Sequence, residues 1–174
     1  SWRDGWRHLR FLLLYSPKWL FFYPGVFFML IGFVSMATLS MGPIKIFGLN
    51  FDVNTMMFAG ISILLGFTIS SLGIFTTIFS VKNNLLPEPS KFRRIINGEN
   101  VDYGIIVGSC ILVLGLLGAF LSLYNWGING FGDLEATSTM RMVIPSSVFM
   151  VLGIQTIFTT FFISVLSLQT KRTT

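Results

Sequence analysis

Residues 53–81 read VNTMMFAGISILLGFTISSLGIFTTIFSV, a stretch without a single charge. An α-helix rises about 1.5 Å per residue, so roughly 20 residues cross a hydrocarbon core of about 30 Å. This run has length to spare. An ionised side chain at the bilayer centre costs on the order of 3 kcal/mol, which is the physical reason for a run that admits none. The pattern repeats on both sides of it. Trp19–Ile44, Tyr103–Gly132 and Met142–Thr170 are also charge-free and bracketed by ionised residues, and all 12 basic and 7 acidic residues fall outside the four windows. Charged residues make up only 11% of the chain, and its mean hydropathy of +0.76 is far above that of a soluble globular domain. The sequence predicts an all-α integral membrane protein forming a single membrane domain over residues 1–174. Its spans are expected at about 20–41, 55–81, 103–124 and 143–168.

The segments between the spans set an orientation. Arg3, Arg7, Arg10 and Lys18 precede the first span, Lys82, Lys91, Arg93 and Arg94 follow the second, and Lys171 and Arg172 follow the fourth. Only Lys45 and Arg141 fall on the opposite side. Basic residues are retained on the cytoplasmic face, so both termini are expected to be cytoplasmic. The net charge of +5 follows from this asymmetry, and its first consequence is attraction to anionic lipid headgroups. Nothing resembles a soluble basic module with interleaved aromatics, so nucleic acid is not an expected partner.

Residues 2–16, WRDGWRHLRFLLLYS, read as an amphipathic helix at the cytoplasmic interface. Arg3, Arg7 and Arg10 share one helical face, and Trp2, Trp6, Leu9 and Leu13 make an adjacent apolar stripe. Such a segment lies in the headgroup plane with its arginines toward phosphates. Ser16-Pro17 breaks it and redirects the chain into the bilayer. The chain opens Ser1-Trp2-Arg3, too basic and aromatic for a cleaved leader, and reads as a piece of a longer polypeptide.

Small residues mark how the spans would meet. Ala59, Ser62, Gly66, Ser70 and Gly73 recur at three- and four-residue spacing in the second span. Gly104, Gly108, Gly115, Ala119 and Ser122 do so in the third, and Gly153, Thr156, Thr160 and Ser164 in the fourth. Lipid gives helices no hydrophobic reason to associate, so close backbone approach is the usual device, and a packed bundle is expected. The connection GPIKIFGLNFDVNT alternates like a short strand pair around Gly48 and reads as a small extracytoplasmic hairpin on the membrane surface. NWGINGFGDLEATSTMR, on the same side, reads as irregular.

The chemistry-bearing residues are few. Arg3, Arg7 and Arg10, with Arg93 and Arg94 on the other inner connection, have the character of a cradle for a lipid-linked phosphate. Guanidinium groups grip phosphate bidentately. The plainer reading is topology charge and anionic-lipid contact. Asp4 sits one turn before His8 and could orient its imidazole, but no nucleophile accompanies the pair. Gln155, near the middle of the fourth span, calls for an interhelical hydrogen bond. Cys110 reads as a small apolar residue. No span contains Asp, Glu, Lys, Arg or His, so no proton relay is expected, and no carboxylate pair or Gly-rich phosphate loop is present. No catalytic residue and no metal ligand are expected on this segment, and by itself it is not expected to be an enzyme.

DGWRHLRFLLLYSPKWLFFYPG at Asp4–Gly25 resembles the junction and first span of bacterial family-2 glycosyltransferases of the polyprenol-phosphate-sugar synthase kind. LLP at Leu85–Pro87, GFGDL at Gly130–Leu134, MRMVIP at Met140–Pro145 and GIQTIFTTFFISVLSL at Gly153–Leu168 fit the same four-span C-terminal domain. The chain departs from the family pattern at Thr77, where Lys is frequent, and at Asn83-Asn84, where an acidic-Gly pair is. The resemblance implies a GT-A catalytic domain upstream, absent from this chain, that binds a nucleotide-sugar with Mg or Mn and transfers the sugar to polyprenyl phosphate. The parent protein would then be a hexosyltransferase of the bacterial inner (plasma) membrane and cell envelope. This segment would anchor it, present the acceptor lipid, contact the catalytic domain and take part in any homo-oligomer. On that reading Arg3, Arg7 and Arg10, at the junction, are the foremost acceptor contacts. The competing readings are a small four-helix transporter or flippase for lipid-linked sugars, and a structural subunit of a membrane complex.

Overall fold

The computed structural model describes residues 2–6, 8, 18–83, 85–87, 101–128 and 136–167. Residues 2–6 and 8 are helical and exposed, with Trp2 and Trp6 open on the surface, in keeping with the start of an N-terminal helix. The rest of the expected 2–16 helix lies outside the described residues. Four long helices follow: α1 (Tyr23–Met41), α2 (Val53–Lys82), α3 (Val101–Ile128) and α4 (Ala136–Ser167). Each is long and apolar enough to cross a membrane. The protein is an all-α, four-span integral membrane protein. Most of its large apolar side chains face outward, as they must where the solvent is lipid.

α1 is entered through a π-helical turn, Lys18–Phe22. Pro24 has no N–H to offer the carbonyl four residues back, and the wider turn just before it absorbs that missing donor. α1 and α2 are joined by a two-stranded antiparallel hairpin, β1 (Ile44–Ile46) and β2 (Leu49–Phe51), which bears out the alternation in the sequence. Its register pairs Ile44 with Phe51, Lys45 with Asn50 and Ile46 with Leu49. The two turn residues, Phe47 and Gly48, both have positive φ, 49° and 79°. That is the tight turn whose twist suits a hairpin, but it costs a non-glycine residue such as Phe47 about 1 kcal/mol.

α2 is the hub of the bundle. It packs antiparallel to α1 and parallel to α4, and α4 packs antiparallel to α3 along its length. The α2–α4 pair is joined by successive rungs. Asp52 meets Arg141, Gly60 faces Val148, Thr68 meets Gln155, the rings of Phe75 and Phe162 pack edge-on at 4.6 Å, and Lys82 meets Ser167. One apolar core holds Met36, Leu39, Met56, Ala59, Ile63, Val148 and Leu152 near the hairpin end; Ile78 and Val81 make a smaller one near the other end.

The small-residue stripes lie in the seams, as the spacing predicts. A Cβ built on Gly66 would sit 2.5 Å from the Gly25 carbonyl oxygen, and one on Gly153 would sit 2.5 Å from the Leu112 nitrogen. Gly108 and Gly115 face Ile157 and Met150 of α4 in the same way, and Gly118, which the stripe had not included, faces Ser146. Hydroxyls in the spans bond mostly to the carbonyl four residues back, as Ser71 does to Phe67 and Thr156 to Leu152. Ser62 instead reaches across to the Phe28 carbonyl of α1 at 2.9 Å.

Two boundaries differ from the sequence reading. α3 runs on through Ile128, and α4 begins at Ala136 and includes Arg141, so both ends of the connection expected to be irregular are helical. Helix can continue beyond the hydrocarbon into the interface, and the charge of Arg141 does not stop it because Asp52 neutralises that charge.

Candidate functional site

The alternation of the four spans gathers Lys18, Lys82, Val101 and Ser167 at one end of the bundle, with the hairpin and the start of α4 at the other. The first end is where the basic segments attach. Of the predicted headgroup-binding residues, Arg3 is described: it stands exposed on the short N-terminal helical stretch, as do Asp4 and His8. Arg7, Arg10, Arg93 and Arg94 lie outside the described residues. Lys82, on the last turn of α2, donates from Nζ to the Ser167 carbonyl at the end of α4. A cation there gives a donor to a carbonyl in the last described turn of α4 and meets the negative pole of the helix dipole. This contact ties together two of the helix ends from which the basic segments leave. Among the described residues, no group of His, Cys, Asp and Glu could hold a metal ion.

At the opposite end the structure brings together two charges that sequence reasoning left apart. Arg141 Nη2 donates to Asp52 Oδ1 at 2.6 Å, with the side chains 18% and 35% exposed. Asp52 sits at the N-cap of α2, and its carboxylate makes no bond to the first turn of that helix. It is committed to Arg141 instead. A signal for the pair existed in the sequence: each residue immediately precedes a charge-free window, and the second and fourth spans run in the same direction. Their entry points therefore share one membrane face.

Mid-bundle, Gln155 Nε2 approaches Thr68 Oγ1 at 3.4 Å, the interhelical bond its position calls for. Thr68 donates its own proton to the Leu64 carbonyl, so it accepts from the amide. Gln155 Oε1 and the buried Ser70 hydroxyl have no hydrogen-bond partner among the described residues. Thr77 is buried and returns its hydroxyl to Gly73.

A bundle of four apolar spans with basic segments at one end and no catalytic or metal-binding cluster among its described residues defines a membrane-embedded domain. Comparison gives it a family: residues 74–167 match the Glycosyltransferase family 2 C-terminal transmembrane region. The chain belongs to this family. It is also 31% identical over 163 residues to the low-salt glycan biosynthesis hexosyltransferase Agl6 of Haloferax volcanii. That alignment covers 92% of this chain and 38% of Agl6, so the chain spans well under half of that relative's length. No solved structure matches the chain.

Proposed function

We propose that this domain anchors a hexosyltransferase in the membrane and presents polyprenyl phosphate to a catalytic domain at the cytoplasmic face. Family membership supports the glycosyltransferase part of this reading. The observation that supports the rest is that the helix ends to which the basic segments attach lie at one end of the bundle, where Lys82 meets Ser167. With both termini cytoplasmic, Arg3, Arg7 and Arg10 come to the inner headgroup layer from one segment, and Arg93 and Arg94 from the other. Their guanidinium groups are suited to a phosphate monoester that is desolvated on one side by lipid. Sugar transfer itself, with its Mg or Mn, belongs to the catalytic domain of the parent polypeptide. This chain holds the acceptor's phosphate near that domain and its isoprenoid tail in the bilayer.

The test is a double substitution, Arg7→Ala with Arg10→Ala, in the parent enzyme. The apparent KM for polyprenyl phosphate is expected to rise while nucleotide-sugar binding stays unchanged. An unaltered acceptor KM would reduce these arginines to topology charges.

A further inference from the structure

The hairpin between α1 and α2 carries an apolar face larger than the bundle can cover. Side chains alternate across a strand, so the register places Ile44, Ile46, Leu49 and Phe51 on one face and Lys45 and Asn50 on the other. Ile44 and Phe51, the pair nearest the helices, pack on the core formed by Met36, Leu39, Met56 and their neighbours. That contact turns the apolar face toward the ends of the helices. One pair further out, Ile46 and Leu49 lie exposed on that same face, and Phe47 at the turn is fully exposed. The hairpin leaves α1 after Met41, itself 92% exposed, and re-enters α2 at Val53, so it starts and finishes at the boundary of the spans.

Phe47 is doubly out of place for a turn in water. Its φ of 49° is a conformation that Asn, Asp or Gly adopts at less cost, and no described residue covers its ring. We propose that the hairpin tip penetrates the lipid monolayer around the bundle. Ile46, Phe47 and Leu49 insert at the boundary between headgroups and acyl chains, and Lys45 and Asn50 stay on the aqueous side, with the Lys45 ammonium among lipid phosphates. The occupant is lipid because the distal apolar face looks the same way as the half seated on the helix ends, toward the membrane that those helices enter, and lies beside the exposed Met41 at the end of α1. Aromatic residues are favoured at this depth, and a lysine stem lies along apolar surface while its charge reaches water.

The test uses the purified chain in lipid nanodiscs, where both membrane faces are open to solutes. In a Cys110→Ser background, an environment-sensitive fluorophore is attached at Leu49→Cys or, separately, at Asn50→Cys, adjacent residues on opposite faces. The label at position 49 is expected to emit to the blue, to be quenched by lipid nitroxides placed near the headgroup and to be shielded from aqueous Co²⁺. The label at position 50 is expected to behave in the opposite way. Adding Phe47→Asn, which suits the turn and removes the ring, is expected to raise Co²⁺ quenching at position 49 several-fold. Equal Co²⁺ quenching at both positions would overturn the proposal. So would shielding at position 49 that disappears in discs holding a single copy, which would assign the tip to contact between copies of the chain.

Discussion

Substituting Gly153 by Ala probes the α3–α4 seam where one helix meets the backbone of the other. The added Cβ would sit 2.5 Å from the Leu112 nitrogen and 2.7 Å from its Cα, where 3.4 Å is ordinary contact. The obstructing atoms are backbone, so no rotamer change relieves the overlap and the helices must part by about 0.9 Å. A gap of that size forfeits up to about half of each dispersion contact along the seam. Overpacking of this kind costs about 1–3 kcal/mol, and the rigidity of the neighbour puts Gly153 in the upper part of that range. Alanine's better helix propensity returns up to about 1 kcal/mol, leaving a net loss of about 1–2 kcal/mol. Reversible unfolding in mixed detergent micelles would read this as a shift of about 5–30-fold in the folding constant. Gly60→Ala is the control. The atoms facing it are methyl groups of Val148 and Ile144 rather than backbone, so its loss is expected to be clearly smaller. If Gly153→Ala is as stable as the parent, or less damaging than Gly60→Ala, the argument from backbone approach is refuted.

Asp52→Asn leaves the largely buried Arg141 guanidinium without its counter-charge. The loss is expected at about 1–3 kcal/mol, between that of an exposed pair and that of a fully buried one. Asp52→Asn combined with Arg141→Met is expected to cost less than the two single changes added together, and strict additivity in the same unfolding titration would count against the pair. Gln155→Leu gives up a long 3.4 Å bond, worth about 0.6 kcal/mol in a membrane, but also removes an acceptor oxygen that has no partner among the described residues. It is expected to be neutral or stabilising; a loss above about 1 kcal/mol, the usual worth of a protein hydrogen bond, would mean that the amide makes a stronger contact than Thr68 provides. Lys82→Ala frees the Ser167 carbonyl, and hydrogen exchange is expected to quicken in the last turn of α4 while the hairpin end stays unchanged. Unchanged exchange in that turn would show that the contact fixes nothing.

The spans were legible because hydrocarbon excludes charge absolutely enough to leave windows in a sequence. The seams were legible because only small residues permit backbones to touch. What spacing could not give was partnership: the Gly153 stripe shows a face, but nothing in it selects Leu112 of α3 over α2. The start of α4 escapes the pattern for a related reason. The fourth charge-free window opens only after Arg141, but the helix begins before it because the charge of Arg141 is cancelled by a residue 89 positions earlier, and only the parallel course of α2 and α4 brings the two together. Turn chemistry found the hairpin from Gly48, yet Phe47 at positive φ is not a residue the turn would select for itself. The predicted phosphate cradle was read from residue type and topology; of its five arginines Arg3 is described, and the remaining four lie outside the described residues.

The central claim is tested most directly by joining this chain to the catalytic portion of its parent polypeptide and following transfer of labelled sugar from nucleotide-sugars to polyprenyl phosphate in membranes. The account predicts lipid labelling that requires Mg or Mn and is lost when residues 1–174 are expressed alone. Absence of labelled lipid with every common donor, from a parent protein shown to be folded in the membrane, would contradict it.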